Sequence, residues 1–404
     1  MCKAPWVLER SPSSDPNRLT VAFDATPLLG QRTGVGAFCV GALEGLALRS
    51  ELAVSAYAVS WRRRAGISDL VPEGVSTRQR AMPARPLQWA WAQASFPPIE
   101  WFVGGHDVVH GTNYVVPPTS RAARVVTVFD LTVILYPELC DPPTLQYPAL
   151  IRRAVAEGAW LHTSSQFIAD QIVAEFAIEP ERVRVVHLGI PALSGTDPGI
   201  DGLPIDLPKG CGRYVLAIGT VEPRKDYPLL VRAFDRLASD HPDVALVIVG
   251  GDGWGAERLA DALSAASHRG RVVRAGYLDD RSLATVLRRA AVLAYPSLYE
   301  GFGFPPLQAM AAGVPVVATA AGSVPEVVGD GALLVDPADA DALAGALSRV
   351  LAGGAEVEEL IVRGKRRASE FTWEECAAGL VSLYRAAVHF RGGRAGRHAA
   401  GGTL

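Results

Sequence analysis

Glu300 opens the stretch YEGFGFPPLQAMAAGVPVVAT, residues 299–319. Gly301 and Gly303 follow it, then Pro305 and Pro306, then a run of small residues. Glycines release backbone amides to wrap an anion where a helix begins, so EGFGF reads as a phosphate cradle. A carboxylate beside that anion would be repelled unless it faces sugar hydroxyls or a forming cation. Next to an oxocarbenium-like centre it supplies favourable electrostatics. A solvated loop glutamate is the plainer alternative, and the apolar residues on both sides weigh against it.

A second stretch, GTVEPRKDYP (219–228), follows an apolar strand pattern and precedes a helical one. Arg224 and Lys225 fall at the strand's carboxyl end. Adjacent cations there suit a diphosphate, arginine as a fork and lysine as a point charge. Taken alone, a solvated pair on a loop is the simpler reading. GQRTGVGAF (30–38) offers a second set of glycines before a helix, but the pattern stops short of GxGxxG because Cys39 holds its last position. The next strand ends YAVSW without an acid to hold an adenosine ribose, which weighs against a nicotinamide dinucleotide. His110 in DVVHGTNY stands at a strand end. It reads either as a base or hydrogen-bond donor towards a hydroxyl, or as a packed structural imidazole. Asp130 in VFDLT is likewise a functional acid or a turn cap. PLQWAWAQASFPPIEWF (86–102) reads as core aromatics with a wet edge or as a membrane-surface face. WRRRAG (61–66) reads as a solvated basic loop or a contact for anionic lipid or acceptor.

The elements that must hold these residues alternate. LTVAFDA, ELAVSAYAV, DVVHGT and RVVTVFDLT have strand character, and helical patterns intervene, with Ser165 placed to cap one of them. Such alternation predicts βαβ units and a parallel sheet. The stretch 191–213 is rich in Pro, Gly and Asp and lacks periodicity, so it reads as a linker. The rhythm then restarts with YVLAIGT, VALVIVGG, RVVRAGYL and AVLAYPS. SVPE, Ser323 to Glu326, has capping-box spacing, which makes Glu326 structural rather than catalytic. The fold class is α/β, two doubly wound halves facing across a cleft, with ligands expected at the carboxyl ends of the strands.

Composition agrees. The chain has 404 residues, 49% of them hydrophobic, a length suited to two domains. A net charge of −3 argues against nucleic acid as a partner. Five scattered cysteines without a CxxC pair read as free thiols in a reducing cytoplasm, with no thiolate metal site. Neither a signal peptide nor a membrane span is apparent, since the apolar windows are broken by Gly, Pro or charge.

GTVEPRKDYPLLVRAF, VIVGGDGW, AYPSLYEGFGFPPLQAMAAGVPVVAT and GSVPEVVGDGALLVDP together resemble the retaining glycosyltransferases of family 4, which have the GT-B fold. GVGAF, HGTNYVVPP, VTVFDLTVILYPE and RVRVVHLGI resemble its mannosyltransferase-like branch, so the likeness spans roughly residues 20 to 388. It implies an N-terminal acceptor-side Rossmann-like domain over 1–195, a linker over 196–212 and a nucleotide-sugar-binding Rossmann-like domain over 213–372. A helix over 373–390 would cross back to the first domain, before a disordered tail over 391–404. The donor would be a nucleotide-diphosphate sugar, with no metal and no further cofactor.

By the same resemblance, Arg224 and Lys225 would neutralise the diphosphate and Glu300 would lie near the donor sugar. The amides of Phe302, Gly303 and Phe304 would hold sugar and phosphate, Gly34 and Gly36 would close from the other domain, and His110 would lie near the reacting centre. The second acid of the family's motif is Gln308 here, and a neutral hydrogen bond worth roughly 1 kcal/mol would replace a charge-assisted one worth about 1.5–3 kcal/mol. Phe129 stands before Asp130 where the branch has histidine. The implied activity is transfer of a hexose, with a lean to mannose, to a glycan, a lipid-linked acceptor or a small molecule. The place would be the cytoplasm, or the inner face of a membrane through peripheral contact. A non-catalytic sugar-nucleotide-binding partner and a nucleotide-sugar epimerase of the same fold are the alternatives, and an NADP oxidoreductase is more distant.

Overall fold

The computed structural model describes residues 18–30, 34–140, 142–193 and 202–400. The chain divides into two units. The first takes the chain up to Leu135, Cys140–Gly189 and everything from Thr372, and the second takes Tyr136–Leu139 and Ile190–Phe371. In the first unit the elements run β1 Leu19–Asp24, α1 Gly34–Ala47, β2 Leu52–Tyr57, β3 Ser76–Arg78, α2 Ala84–Gln93, α3 Glu100–Val103, β4 Val108–Gly111 and β5 Ala123–Thr127. They continue with α4 Thr132–Leu135, α5 Tyr147–Ala156, β6 Trp160–Thr163, α6 Gln166–Phe176 and β7 Val183–Val185. The second unit runs β8 Arg213–Ile218, α7 Tyr227–Leu237, β9 Val244–Val249, α8 Ala256–Ala265, β10 Val272–Gly276, α9 Asp280–Arg288 and β11 Val292–Tyr295. It closes with α10 Phe304–Ala311, β12 Val316–Thr319, α11 Val324–Val328, β13 Leu333–Val335, α12 Ala340–Ala352 and α13 Ala355–Ala368. α14, Trp373–Ala400, belongs to the first unit.

Both sheets are parallel and doubly wound. The first has the order β3-β2-β1-β4-β5-β6-β7 and the second β10-β9-β8-β11-β12-β13. Each order reverses beside its first strand, between β1 and β4 and between β8 and β11, where an open α/β sheet leaves a crevice at the carboxyl edge. β9, VALVIV, is apolar and buried at every residue because helices cover both faces of its sheet. Some helices start at a polar cap. Ser165 accepts from the Ile168 amide at 3.3 Å, Asp279 from Ser282 at 2.8 Å and Asp339 from Ala342 at 2.9 Å.

The expected linker falls partly on residues 194–201, outside the described residues, and irregular backbone leads from 202 to β8. The backbone of α14 is helical past residue 391, where a disordered tail was expected. Once a helix is nucleated, each further residue adds a hydrogen bond, so extension is easy. Residues 401–404 lie outside the described residues.

Glycines in α1 set how closely α14 packs. A Cβ on Gly41 would lie 2.0 Å from the Trp373 ring, and one on Gly45 would lie 2.6 Å from the Trp373 carbonyl oxygen. Gly345 in α12 instead has nothing within 4 Å of where its Cβ would be. Gly41→Val should therefore lower stability by roughly 1–3 kcal/mol through overpacking. Gly345→Ala should raise it by a few tenths to about 1 kcal/mol through helix propensity. Thermal melts of the two variants read both signs.

Candidate functional site

The second unit gathers its chemistry at the switch between β8 and β11. After β8 the chain passes Gly219 and enters a helical turn, Pro223–Lys225. Gly219 has φ +145, and a Cβ on Gly250 would lie 2.0 Å from the Gly219 carbonyl oxygen. That approach demands glycine at 250. Tyr227 Oη donates to the same carbonyl at 2.9 Å. Asp226 has φ 43, a conformation that Asp tolerates better than most residues, and it caps α7 by accepting from the Leu229 amide at 3.3 Å. The Leu298 amide donates to the Arg224 carbonyl at 2.7 Å, which fastens this loop to the one after β11.

That second loop carries Glu300. Its Oε2 accepts from Arg224 Nη1 at 2.8 Å and its Oε1 from Lys225 Nζ at 2.5 Å. Glu300 and Lys225 are 6% and 7% exposed, while the Arg224 side chain keeps 24% of its surface. Burial alone would raise the Glu300 carboxyl, but the charges of Arg224 and Lys225 outweigh it and bring it to about 2. Burial pushes the Lys225 ammonium down, and Glu300 opposes that. Tyr295 holds the ammonium in place, with its hydroxyl 3.1 Å from Nζ and its ring centroid 4.7 Å away. Glu222 Oε2 lies 2.9 Å from Arg224 Nε, so two cations meet two carboxylates and the cluster is neutral.

The Glu300 backbone is fixed as firmly as its side chain. The Ser323 amide donates to its carbonyl at 3.0 Å and Ser323 Oγ does so at 2.9 Å. Gly322, with φ +60, packs so closely that a Cβ would lie 2.6 Å from the same oxygen. The capping box expected at Ser323 is therefore corrected. Ser323 makes no side-chain cap to α11, because its hydroxyl is taken by Glu300 across the chain. α10 begins as its proline pair implied, with Pro305 and Pro306 in its first turn and Gly313, φ +77, beyond its end. Its N-cap is Gly303, with φ 110 and no side-chain cap. Phe302 is buried against Phe304 and Phe371, with ring centroids 5.6 and 5.7 Å away. Gln308 is half-buried and its Nε2 donates to the Pro191 carbonyl at 3.4 Å. A glutamate could not make that bond.

In the first unit the expected residues do different work. Gly34 and Gly36 open α1, and residues 31–33 before them lie outside the described residues. Asp130 accepts from the Thr132 amide at 2.9 Å and so turns the chain into α4. The expectation of a reacting imidazole at His110 meets a packed one. The Val186 carbonyl can only accept, so His162 Nε2 donates to it at 3.1 Å. His162 Nδ1 then accepts from Thr127 Oγ1 at 2.9 Å, Thr127 Oγ1 accepts from His110 Nε2 at 2.8 Å, and His110 Nδ1 accepts from Tyr384 Oη at 2.7 Å. Both nitrogens of His110 are engaged and the ring is fully buried, which leaves none for a hydroxyl. Burial lowers His162 to about 4, and burial with the nearby His162 pushes His110 well below 6.5.

Tyr295 and Asp24 were not singled out in the sequence, and Ser323 was expected only as a helix cap. Tyr295 holds Lys225 and Ser323 holds the Glu300 carbonyl, contacts that no local motif announces. Asp24 ends β1, accepts from Thr26 Oγ1 and the Thr26 amide at 2.5 and 2.8 Å, and clasps the turn before α1. Burial raises its carboxyl to about 6 against those bonds. An acid closing an apolar strand with D-x-T spacing was its available signal.

The profile described as Glycosyl transferases group 1 matches residues 207–367. The O-antigen chain mannosyltransferase B of Escherichia coli is 31% identical over 284 residues, which is 69% of this chain and 74% of that protein. The MMP alpha-(1->4)-mannosyltransferase of Mycolicibacterium hassiacum is 37% identical over 249 residues, which is 59% of this chain and 56% of that protein. The D-inositol 3-phosphate glycosyltransferase of Acidothermus cellulolyticus is 31% identical over 315 residues, 70% of this chain and 68% of that protein. Among solved structures, sucrose-phosphate synthase from Thermosynechococcus elongatus superimposes with a TM-score of 0.69 at 22% identity, covering 91% of this chain and 99% of that one. Anabaena HepE in complex with UDP and glucose gives 0.65 at 17%, covering 91% and 100%. These two likenesses speak to the fold.

Two pH effects follow. Glu300 ionises at about 2 in the folded chain against 4.5 in a free carboxyl, so its contribution to stability is complete above pH 4.5 and is lost as pH falls towards 2. Glu300→Gln should flatten that acid limb and, by leaving Lys225 buried without its counter-charge, lower stability at neutral pH by about 3 kcal/mol. His162 resists protonation down to about 4 against 6.5, so stability is complete above pH 6.5 and declines from there towards 4. His162→Gln, which keeps a donor and an acceptor, should make that decline shallower by up to about 1.4 kcal/mol per pH unit. Denaturant melts across pH measure both.

Proposed function

From the premise that this chain belongs to the glycosyl transferases group 1 family and is a glycosyltransferase, we propose that it moves a hexose from a nucleotide-diphosphate sugar to an acceptor hydroxyl with retention at the anomeric carbon. The observation that carries this reading is the Arg224–Glu300–Lys225 cluster at the carboxyl edge of β8 and β11, where their sheet's order reverses. An arginine fork and a lysine point charge suit a diphosphate. The uncapped glycine entry of α10, next along the chain, suits phosphate or sugar oxygens.

The bond between the anomeric carbon and the diphosphate oxygen breaks, and its electron pair goes to that oxygen. Arg224 and Lys225 take up the growing negative charge on the leaving group. Glu300, held anionic by those same cations, faces the sugar, where a carboxylate favours oxocarbenium character. The acceptor oxygen bonds to the anomeric carbon on the face the diphosphate leaves, and the departing phosphate oxygen accepts the acceptor's proton there, so the step needs no imidazole base, in keeping with the packed state of His110.

The mannosyltransferases among the relatives favour mannose as the sugar. A glycan, a lipid-linked saccharide or a small-molecule hydroxyl is the acceptor class, used in the cytoplasm. Gln308 in place of the second acid favours one competing reading, a partner that binds the donor without transferring from it.

Purified Arg224→Ala/Lys225→Ala protein should transfer about 10²–10³-fold more slowly than the wild type. A double variant with undiminished turnover, checked for folding by its melting point, would refute the assignment. Thermal shifts with GDP-mannose, UDP-glucose and dTDP-glucose identify the nucleotide, since a ligand at 100 times its Kd stabilises the folded chain by about 2.7 kcal/mol. A large shift without transfer or donor hydrolysis would select the binding-partner reading instead.

A further inference from the structure

The first unit exposes aromatic side chains that the transfer chemistry does not use. Trp61, Trp89, Phe96 and Trp101 are 60%, 69%, 56% and 49% exposed. Contacts between their segments draw them together. The Met82 amide donates to the Ser60 carbonyl at 3.2 Å, which brings the Trp61 loop beside the segment leading into α2. From that segment Arg80 reaches the Trp101 carbonyl, and the Trp101 ring meets Phe96 edge-on with centroids 4.9 Å apart. α2 turns Leu87 and Trp91 inwards and shows Arg85 and Trp89, one turn apart, to solvent.

Charge follows the same surface. Between Trp61 and Ile99 the sequence has six arginines against two acids, Asp69 and Glu73, in a chain whose net charge is −3. Arg62, Arg63, Arg80 and Arg85 are exposed. Two carboxylates in or bonded to the aromatic segment are already committed, Glu100 within it and Glu157 through Ser95. Glu100 is buried and accepts from the Ser120 and Arg121 amides at 2.8 and 2.9 Å, and Glu157 lies 2.6 Å from Arg124 and 3.0 Å from Arg153.

We propose that the face carrying Trp61, Trp89, Phe96 and Trp101 with Arg80 and Arg85 docks on an anionic lipid bilayer. Indole rings settle at the boundary between headgroups and acyl chains, and arginines pair with anionic headgroups. An uncharged surface would have no use for the arginines, and the excess of positive charge selects an anionic one. The inference is separate from donor chemistry, and its test reads membrane binding without turnover.

Purified full-length chain is sedimented with vesicles of phosphatidylcholine alone and of phosphatidylcholine with phosphatidylglycerol, at low and high salt. The wild type should pellet with the anionic vesicles only, and less so at high salt. Arg80→Gln/Arg85→Gln should weaken partition about fivefold for each arginine. Trp89→Ser/Trp101→Ser should weaken it also at high salt, where charge is screened. Melting points and donor-induced melting shifts should match the wild type in both variants. The proposal is overturned if the wild type stays in the supernatant with anionic vesicles or if neither pair changes its partition. It is also overturned if light scattering finds a dimer that both pairs dissolve, since a second copy would then cover the face.

Discussion

One buried carboxylate organises the second unit. Glu300 lies where burial by itself would favour its neutral form, and two cations from another loop hold it ionised. The dependence runs both ways, because Lys225 is buried too and its ammonium persists through Glu300 and the face of Tyr295. The ion pair therefore joins the loop after β8 to the loop after β11, across the reversal in strand order. The glycines and hydroxyls nearby follow from that join. Gly250 lets one backbone approach Gly219, while Gly322 and Ser323 hold the Glu300 carbonyl from the far side.

A neutral cluster of this kind has a chemical use beyond stability. Isolated cations at a strand end would attract any anion. Cations already paired are held at fixed positions, and their charge is offset until a stronger anion arrives. On the proposed reading, a diphosphate, which brings more negative charge than one carboxylate, would compete for Arg224, the most exposed member of the set. The carboxylate that shares those cations would then, on the same reading, stand beside the sugar rather than face phosphate unopposed.

The first unit uses the same residue types for a different end. His110, Thr127 and His162 form a buried chain with one proton direction, started by Tyr384 of α14 and ended by the Val186 carbonyl. It ties the last helix to the sheet, and the small residues Gly41 and Gly45 under Trp373 let that helix pack on α1. A strand-end histidine and a glycine-entered helix are also what a catalytic site would show, so residue type alone could not separate the two uses.

Much of the architecture was readable in advance, because hydrophobic period and short polar caps are local properties. The alternation of apolar strands with helices implied parallel doubly wound sheets, and VALVIV implied a strand covered on both faces. Ser165 as a cap, the proline entry of α10 and Gly313 at its end were equally local. The juxtaposition of Glu300 with Arg224 and Lys225 could only be suspected, since 75 residues separate Lys225 from its partner. The roles of Ser323, His110 and Tyr295 were decided by folding alone. Each depends on which distant group fills a hydrogen bond or shares a charge, and that partner is set by packing across the sheet rather than by spacing along the chain.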